Sequence, residues 1–135
     1  MSISYDPRWV IPTDANVKSW SQMESFVAST EGDVLIPELN YLPALADKPA
    51  FMNEVALGEI LGEYGRPEPV QSSFLQAEVN HALQEQQFEL IFLKKLDGIW
   101  QGVTATYDCA PVSELVDASG LPHSVTEEFF ACSPK

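Results

Sequence analysis

The sequence predicts an α/β fold, a small three-layer Rossmann-like domain with a short, mostly parallel sheet, and three observations carry that expectation. In the stretch from Ser72 to Lys95, Leu75, Val79, Ala82 and Leu83 recur at three- and four-residue spacing, while Gln76, Asn80, Gln84 and Glu85 cover the other side. That is the stripe of an amphipathic helix. Phe88, Leu90, Ile91, Phe92 and Leu93 then form a run broken only by Glu89, too short for a second helix and apolar on both alternating faces. Such a run reads as an inner strand of a largely parallel sheet. Finally, helix-like and strand-like stretches alternate along the chain, which implies right-handed crossovers and layered packing.

Taken in order, the chain reads as one domain over 1–135, with residues 1–12 an extended lead-in that packs by Trp9 and Ile11. Thr13 or Asp14 caps a helix of about residues 15–30 that turns Trp20, Met23 and Val27 inward, and Gly32 ends it. Asp33 to Glu38 is the first core strand, short and β-branched, stopped at Pro37. The following LPALA makes a helical turn, AFMN at 50–53 is a second strand, and Glu54 to Tyr64 is a helix with Val55, Ile60 and Leu61 as contacts. GRPEPV at 65–70 is a connector whose prolines forbid helix and central strand. Ser73 followed by Gln76 has the form of a capping box and marks the start of the amphipathic helix. Ile99, Val103 and Tyr107 recur every four residues and favour helix over strand. Residues 110–126 form an irregular loop, and EEFFAC at 127–132 closes the sheet as an edge strand.

Hydrophobic residues at 45% and charged residues at 20% argue against disorder. No window reaches the ~18 apolar residues that cross a bilayer, and the N-terminus lacks the regions of a signal peptide, so a soluble chain is expected. Twenty acids against seven lysines and arginines give a net charge of −13, and the largest basic cluster is Lys94 with Lys95. Nucleic acid is therefore not expected as a partner. The charge is read as solubility or a saline habitat, and otherwise as attraction of a cation. Cys109 and Cys132, 23 residues apart, do not make a zinc site. They form one disulfide in an oxidising compartment or remain buried thiols in the cytosol, and the reading leans to free thiols.

Neither a phosphate-binding glycine motif nor GxSxG occurs, and Gly58 with Gly62 reads as helix packing. His81 and His123 have no partner at metal-ligand spacing, and Cys109 has no context that activates a thiolate. Acidic pairs such as Glu127 with Glu128 or Asp33 with Glu38 are expected by chance among twenty acids. No catalytic residue, metal ligand or cofactor is predicted. In open α/β sheets ligands bind beyond the carboxyl ends of strands. Glu38, Asn40 and Tyr41 after the first strand, with Asn53 and Glu54 after the second, are the candidate binding residues there. A free-standing small binder or enzyme using that edge is one reading. An interaction module exposing Trp9, Trp100 or Phe129 is another.

Val34-Leu35-Ile36-Pro37-Glu38, Asp47-Lys48-Pro49, Arg66-Pro67-Glu68-Pro69 and Phe88 to Leu93 follow one another in an order that resembles the C-terminal tail of bacterial polytopic membrane glycosyltransferases. These are of the GT-C type, related to the dolichyl-phosphate-mannose transferase group, and use lipid-phosphate sugar donors. The resemblance covers about residues 8–107. It implies a non-catalytic accessory domain on the extracytoplasmic, periplasmic face, with a membrane helix preceding Ser2 in the parent. Its partners are then the membrane-embedded part of that protein and a lipid-linked sugar or acceptor. Without the resemblance, a cytoplasmic location is expected.

Overall fold

Thr13 and Asn16 close a capping box, each side chain taking the other's backbone N–H, and helix α1 (Asp14–Ser29) follows. Asn16 fills the place that glutamate or glutamine usually holds in this motif. The computed structural model describes residues 11–62, 69–112 and 129–135. Ser19, Met23 and Val27 make the buried stripe of α1, with Trp20 partly buried beside it. Ile11 stands 64% exposed, so it does not anchor the lead-in; Trp9 lies outside the described residues.

The chain reverses after α1 at Gly32, whose φ of +98° is a conformation that a side chain strains. Lys48 locks this reversal, its Nζ donating to the carbonyls of Thr30 at 2.6 Å and Gly32 at 2.9 Å. Strand β1 (Val34–Leu35) is only two residues long, and the turn predicted for LPALA is helix α2 (Tyr41–Leu45). Residues 50–53 are not a strand. Asn53 instead caps helix α3 (Glu54–Leu61), its Oδ1 accepting from the N–H groups of Val55 and Ala56, and Phe51 meets Phe88 edge-on at 5.1 Å. Val55 is 57% exposed, whereas Leu57 is buried.

Helix α4 (Pro69–Gln84) starts before Ser73, so the capping box read at Ser73 and Gln76 is not formed. Proline is tolerated in a first helical turn, where its missing N–H would have no partner anyway. Val79 and Leu83 are the buried centre of its stripe. Past Gln84 the backbone turns left-handed at Gln86 (φ 48°) and enters strand β2 (Leu90–Leu93), all four of whose residues are buried.

A 3₁₀ turn at Gly98–Trp100, a single helical turn α5 (Val103–Thr106) and strand β3 (Tyr107–Pro111) replace the continuous helix suggested by Ile99, Val103 and Tyr107. All three side chains are buried, but each belongs to a different element. Ala110 and Pro111, read as loop, end β3; residues 113–128, with His123, lie outside the described residues. Strand β4 (Phe130–Pro134) lies between β2 and β3 and is not an edge.

The sheet order is β1-β2-β4-β3, with β1 and β2 parallel and the other two pairings antiparallel. The fold is therefore mixed α/β, and a mostly parallel sheet is corrected to one parallel pair. Alternation along β2 sends Leu90 and Phe92 into a core with α1 and α2, and Ile91 and Leu93 into a second core with α3 and α4. The central row is thus sealed on both faces. Phe129 and Trp100 belong to these cores at 5% and 7% exposure, so neither is an exposed aromatic.

Register places Cys109 of β3 directly opposite Cys132 of β4, and their sulfurs are bonded. The lean to free thiols is corrected accordingly, since antiparallel pairing across the intervening residues brings the two Cα atoms to 4.0 Å.

Tyr107, 1% exposed, donates its hydroxyl to Phe88 O at 3.0 Å and accepts from Phe88 N at 3.3 Å, fastening β3 to the entrance of β2. Burial pushes its phenol above the usual range, the bond to Phe88 pulls back, and the charge of Glu89 adds to the rise. A raised phenol contributes stability that is complete below its unfolded value of about 10 and is lost as pH climbs through the folded one. Tyr107→Phe is therefore expected to cost about 1–3 kcal/mol at neutral pH, by leaving both Phe88 groups unpaired. In chemical denaturation the gap between wild type and variant should narrow above about pH 10; a constant gap would contradict the assignment.

Candidate functional site

The carboxyl ends of β1 and β2 open onto a cleft of about 410 Å³. Pro37 and Glu38 form the wall where the chain leaves β1, and Lys94 and Lys95 where it leaves β2. Leu57, Gly58 and Leu61 of α3 face them, and Gln76 of α4 with Asp97, Ile99 and Trp100 closes the remaining side.

Hydrogen bonds fix these walls relative to one another. Glu38 Oε1 accepts from the backbone N–H of Lys94 at 3.2 Å, while its Oε2 is sealed from water. Gln76 Nε2 donates to the carbonyl of Ile99 and to Asn80 Oδ1, both at 3.0 Å, tying α4 to the 3₁₀ turn. Trp100 and Ile99 are buried, so the turn presents a rigid apolar floor, while Lys94, Lys95 and Asp97 are exposed at the rim. The cleft therefore combines a hydrophobic wall with a few oriented polar groups, the usual make-up of a small-molecule site.

Of the five residues predicted for this edge, the structure places Glu38 in the cleft. Asn40 precedes α2 without a side-chain capping bond, and Tyr41, 46% exposed, packs against Trp20 with ring centres 6.2 Å apart. Burial raises the Tyr41 phenol. Asn53 spends its Oδ1 on the start of α3, and Glu54 is the first residue of that helix. Gln76, Lys94, Lys95, Asp97 and Trp100 were missed. The Lys94-Lys95 pair immediately after the apolar run was the available signal, because residues that leave an inner strand stand at its carboxyl end.

A second, smaller groove of about 180 Å³ lies between residues 51–52 and α4, lined by Leu35, Met52, Val79, Leu83 and Phe88 among others. It touches the first at Trp100, which lines both.

Among the described residues, no group of three or more His, Cys, Asp or Glu side chains comes together to hold a metal ion. Exposed His81 lines neither cleft. No described helix is long and apolar enough to cross a membrane. Compared with known proteins, this chain matches no family model, no curated protein and no solved structure.

Proposed function

We propose that this chain is a non-catalytic ligand-binding protein whose site is the cleft beyond β1 and β2. The observation that carries this reading is the position of that cleft at the carboxyl ends of the one parallel pair in the sheet. Open α/β sheets receive ligands there because the strand ends and following turns offer backbone and side-chain groups above a rigid base. Binding is favoured over catalysis because the described lining contains no serine, cysteine or histidine, and its partly buried carboxylate, Glu38, is spent on a backbone N–H. The helical covers, α1 and α2 over one core and α3 and α4 over the other, support a three-layer, Rossmann-like description.

The test is a thermal-shift screen of a small-molecule library against the oxidised protein. A true ligand at a hundred times its Kd adds about 2.7 kcal/mol and raises the midpoint by several degrees. Leu61→Trp, which fills the cleft from α3, should abolish that rise. A library that yields no such compound, or a rise that persists in Leu61→Trp, rejects the site.

A second reading, an extracytoplasmic accessory domain of a membrane glycosyltransferase, draws support from the Cys109–Cys132 bond, since disulfides persist in oxidising compartments. On that reading the partners are the parent's membrane-embedded part and a lipid-linked sugar or acceptor, and nucleic acid is not one. Coding sequence for several transmembrane helices upstream of Met1 is expected; a stop codon there removes it.

A further inference from the structure

We propose that the cleft beyond β1 and β2 takes a small organic anion, a carboxylate or phosphate monoester on an apolar or ring-shaped body, with Lys95 as its charge partner. This deepens the ligand-binding reading and rests on it.

The distribution of cations is the starting point. With seven lysines and arginines against twenty acids, the chain has few positive charges to place. Among the described residues, Lys48 holds two backbone carbonyls behind α1 and Lys135 Nζ holds the carbonyl of Thr104 at 2.8 Å, both in structural roles. Lys18 is exposed on α1. Lys94 and Lys95 are adjacent, exposed, and at the mouth of one cleft.

The acids of the same cleft do not cancel them equally. Glu38 is built into the wall, one oxygen accepting from Lys94 N–H and the other sealed from water, so it faces an incoming ligand far less than the ammonium groups do. Among the described lining residues Asp97 is the exposed acid, so the exposed rim carries the ammonium groups of Lys94 and Lys95 against one carboxylate, on a molecule whose net charge is −13. A generally acidic surface repels anions elsewhere and so sharpens the contrast at this place. Leu57, Leu61 and Trp100 supply an apolar wall, and about 410 Å³ is room for a metabolite-sized body.

Three probes of nearly equal shape and different charge test the inference by NMR on the isotope-labelled, oxidised protein: benzoate, benzyl alcohol and benzylamine, with phenyl phosphate as a second anion. Benzoate and phenyl phosphate are expected to shift the amides of Lys94 to Trp100 saturably. Lys95→Gln should weaken them about fivefold or more, the scale of losing one charged hydrogen-bond partner at an exposed rim, and Lys18→Gln should leave them unchanged. Both substitutions are at exposed positions, and an unaltered spectrum without ligand checks the fold. Tighter binding of benzyl alcohol or benzylamine at the same amides overturns the anion class and leaves the ligand-binding reading standing. Unsaturable shifts spread over Lys18 and Lys135, or an affinity unmoved by Lys95→Gln, overturn it as well. Silence from all four probes overturns it too, and the broader reading then falls only if the library screen is also blank.

Discussion

Reduction of the Cys109–Cys132 disulfide is expected to lower the thermal midpoint by roughly 10 °C, the equivalent of about 3 kcal/mol. The bond spans 23 residues, and closing a loop of that length in the unfolded chain removes conformations that the reduced chain regains. Position strengthens the expectation. Among the described residues β3 lies at the edge of the sheet, paired with β4, so the bond joins an outer strand to an inner one. The measurement is calorimetry with and without a phosphine reductant, together with a thiol count on the denatured, unreduced protein, where zero free thiols are expected. A double Cys109→Ala, Cys132→Ala variant should lose slightly more than the reduced protein, because Cys132 is wholly buried and its sulfur also fills space. A midpoint that reduction leaves within about two degrees, or two titratable thiols, would mean that the cysteines are not joined.

Phe92→Ala should cost about 3–5 kcal/mol, a large part of the ~5–15 kcal/mol by which a domain of this kind is stable. Phe92 is wholly buried, sits opposite Ala131 of β4, and stacks on Phe26 of α1 with centroids 6.2 Å apart and planes 6° from parallel. Its removal empties space that neither the sheet nor the helix can close, since both are held by other contacts. Phe26→Ala, at a partly buried position, should cost markedly less. Urea denaturation of the two variants at neutral pH measures both. A Phe92→Ala loss below about 1.5 kcal/mol would show that the centre of β2 is wetted on one face, which would undo the two-core arrangement.

These expectations rest on parts of the chain that differ in how far they could be read before folding. The stripe of α1, its Thr13 cap and the buried run at Leu90–Leu93 follow from patterns within a few residues, where spacing and hydrogen-bonding chemistry act locally. Pro69 was misjudged because proline forbids a helix interior and suits a helix start, and which applies depends on where the helix begins. At residues 50–53 Phe51 is a strand former but Ala50 and Asn53 are not, and among the described residues the segment has no partner strand and packs by Phe51 against Phe88 instead. Glu38 was legible in the cleft because it directly follows a strand; Gln76 was not, because its role depends on a carbonyl 23 residues further on.

The sequence by itself determined that helices and strands mix, that Phe88 to Leu93 runs through the middle, and that no familiar catalytic motif is present, since each is written in short-range pattern and residue type. Only the tertiary structure decided that β4 inserts between β2 and β3, that the two cysteines meet, and that Lys94 and Lys95 share a cleft with α3 and Trp100. Strand order and cross-strand register are set by which apolar faces bury together over long chain separations, and local spacing carries no record of that choice.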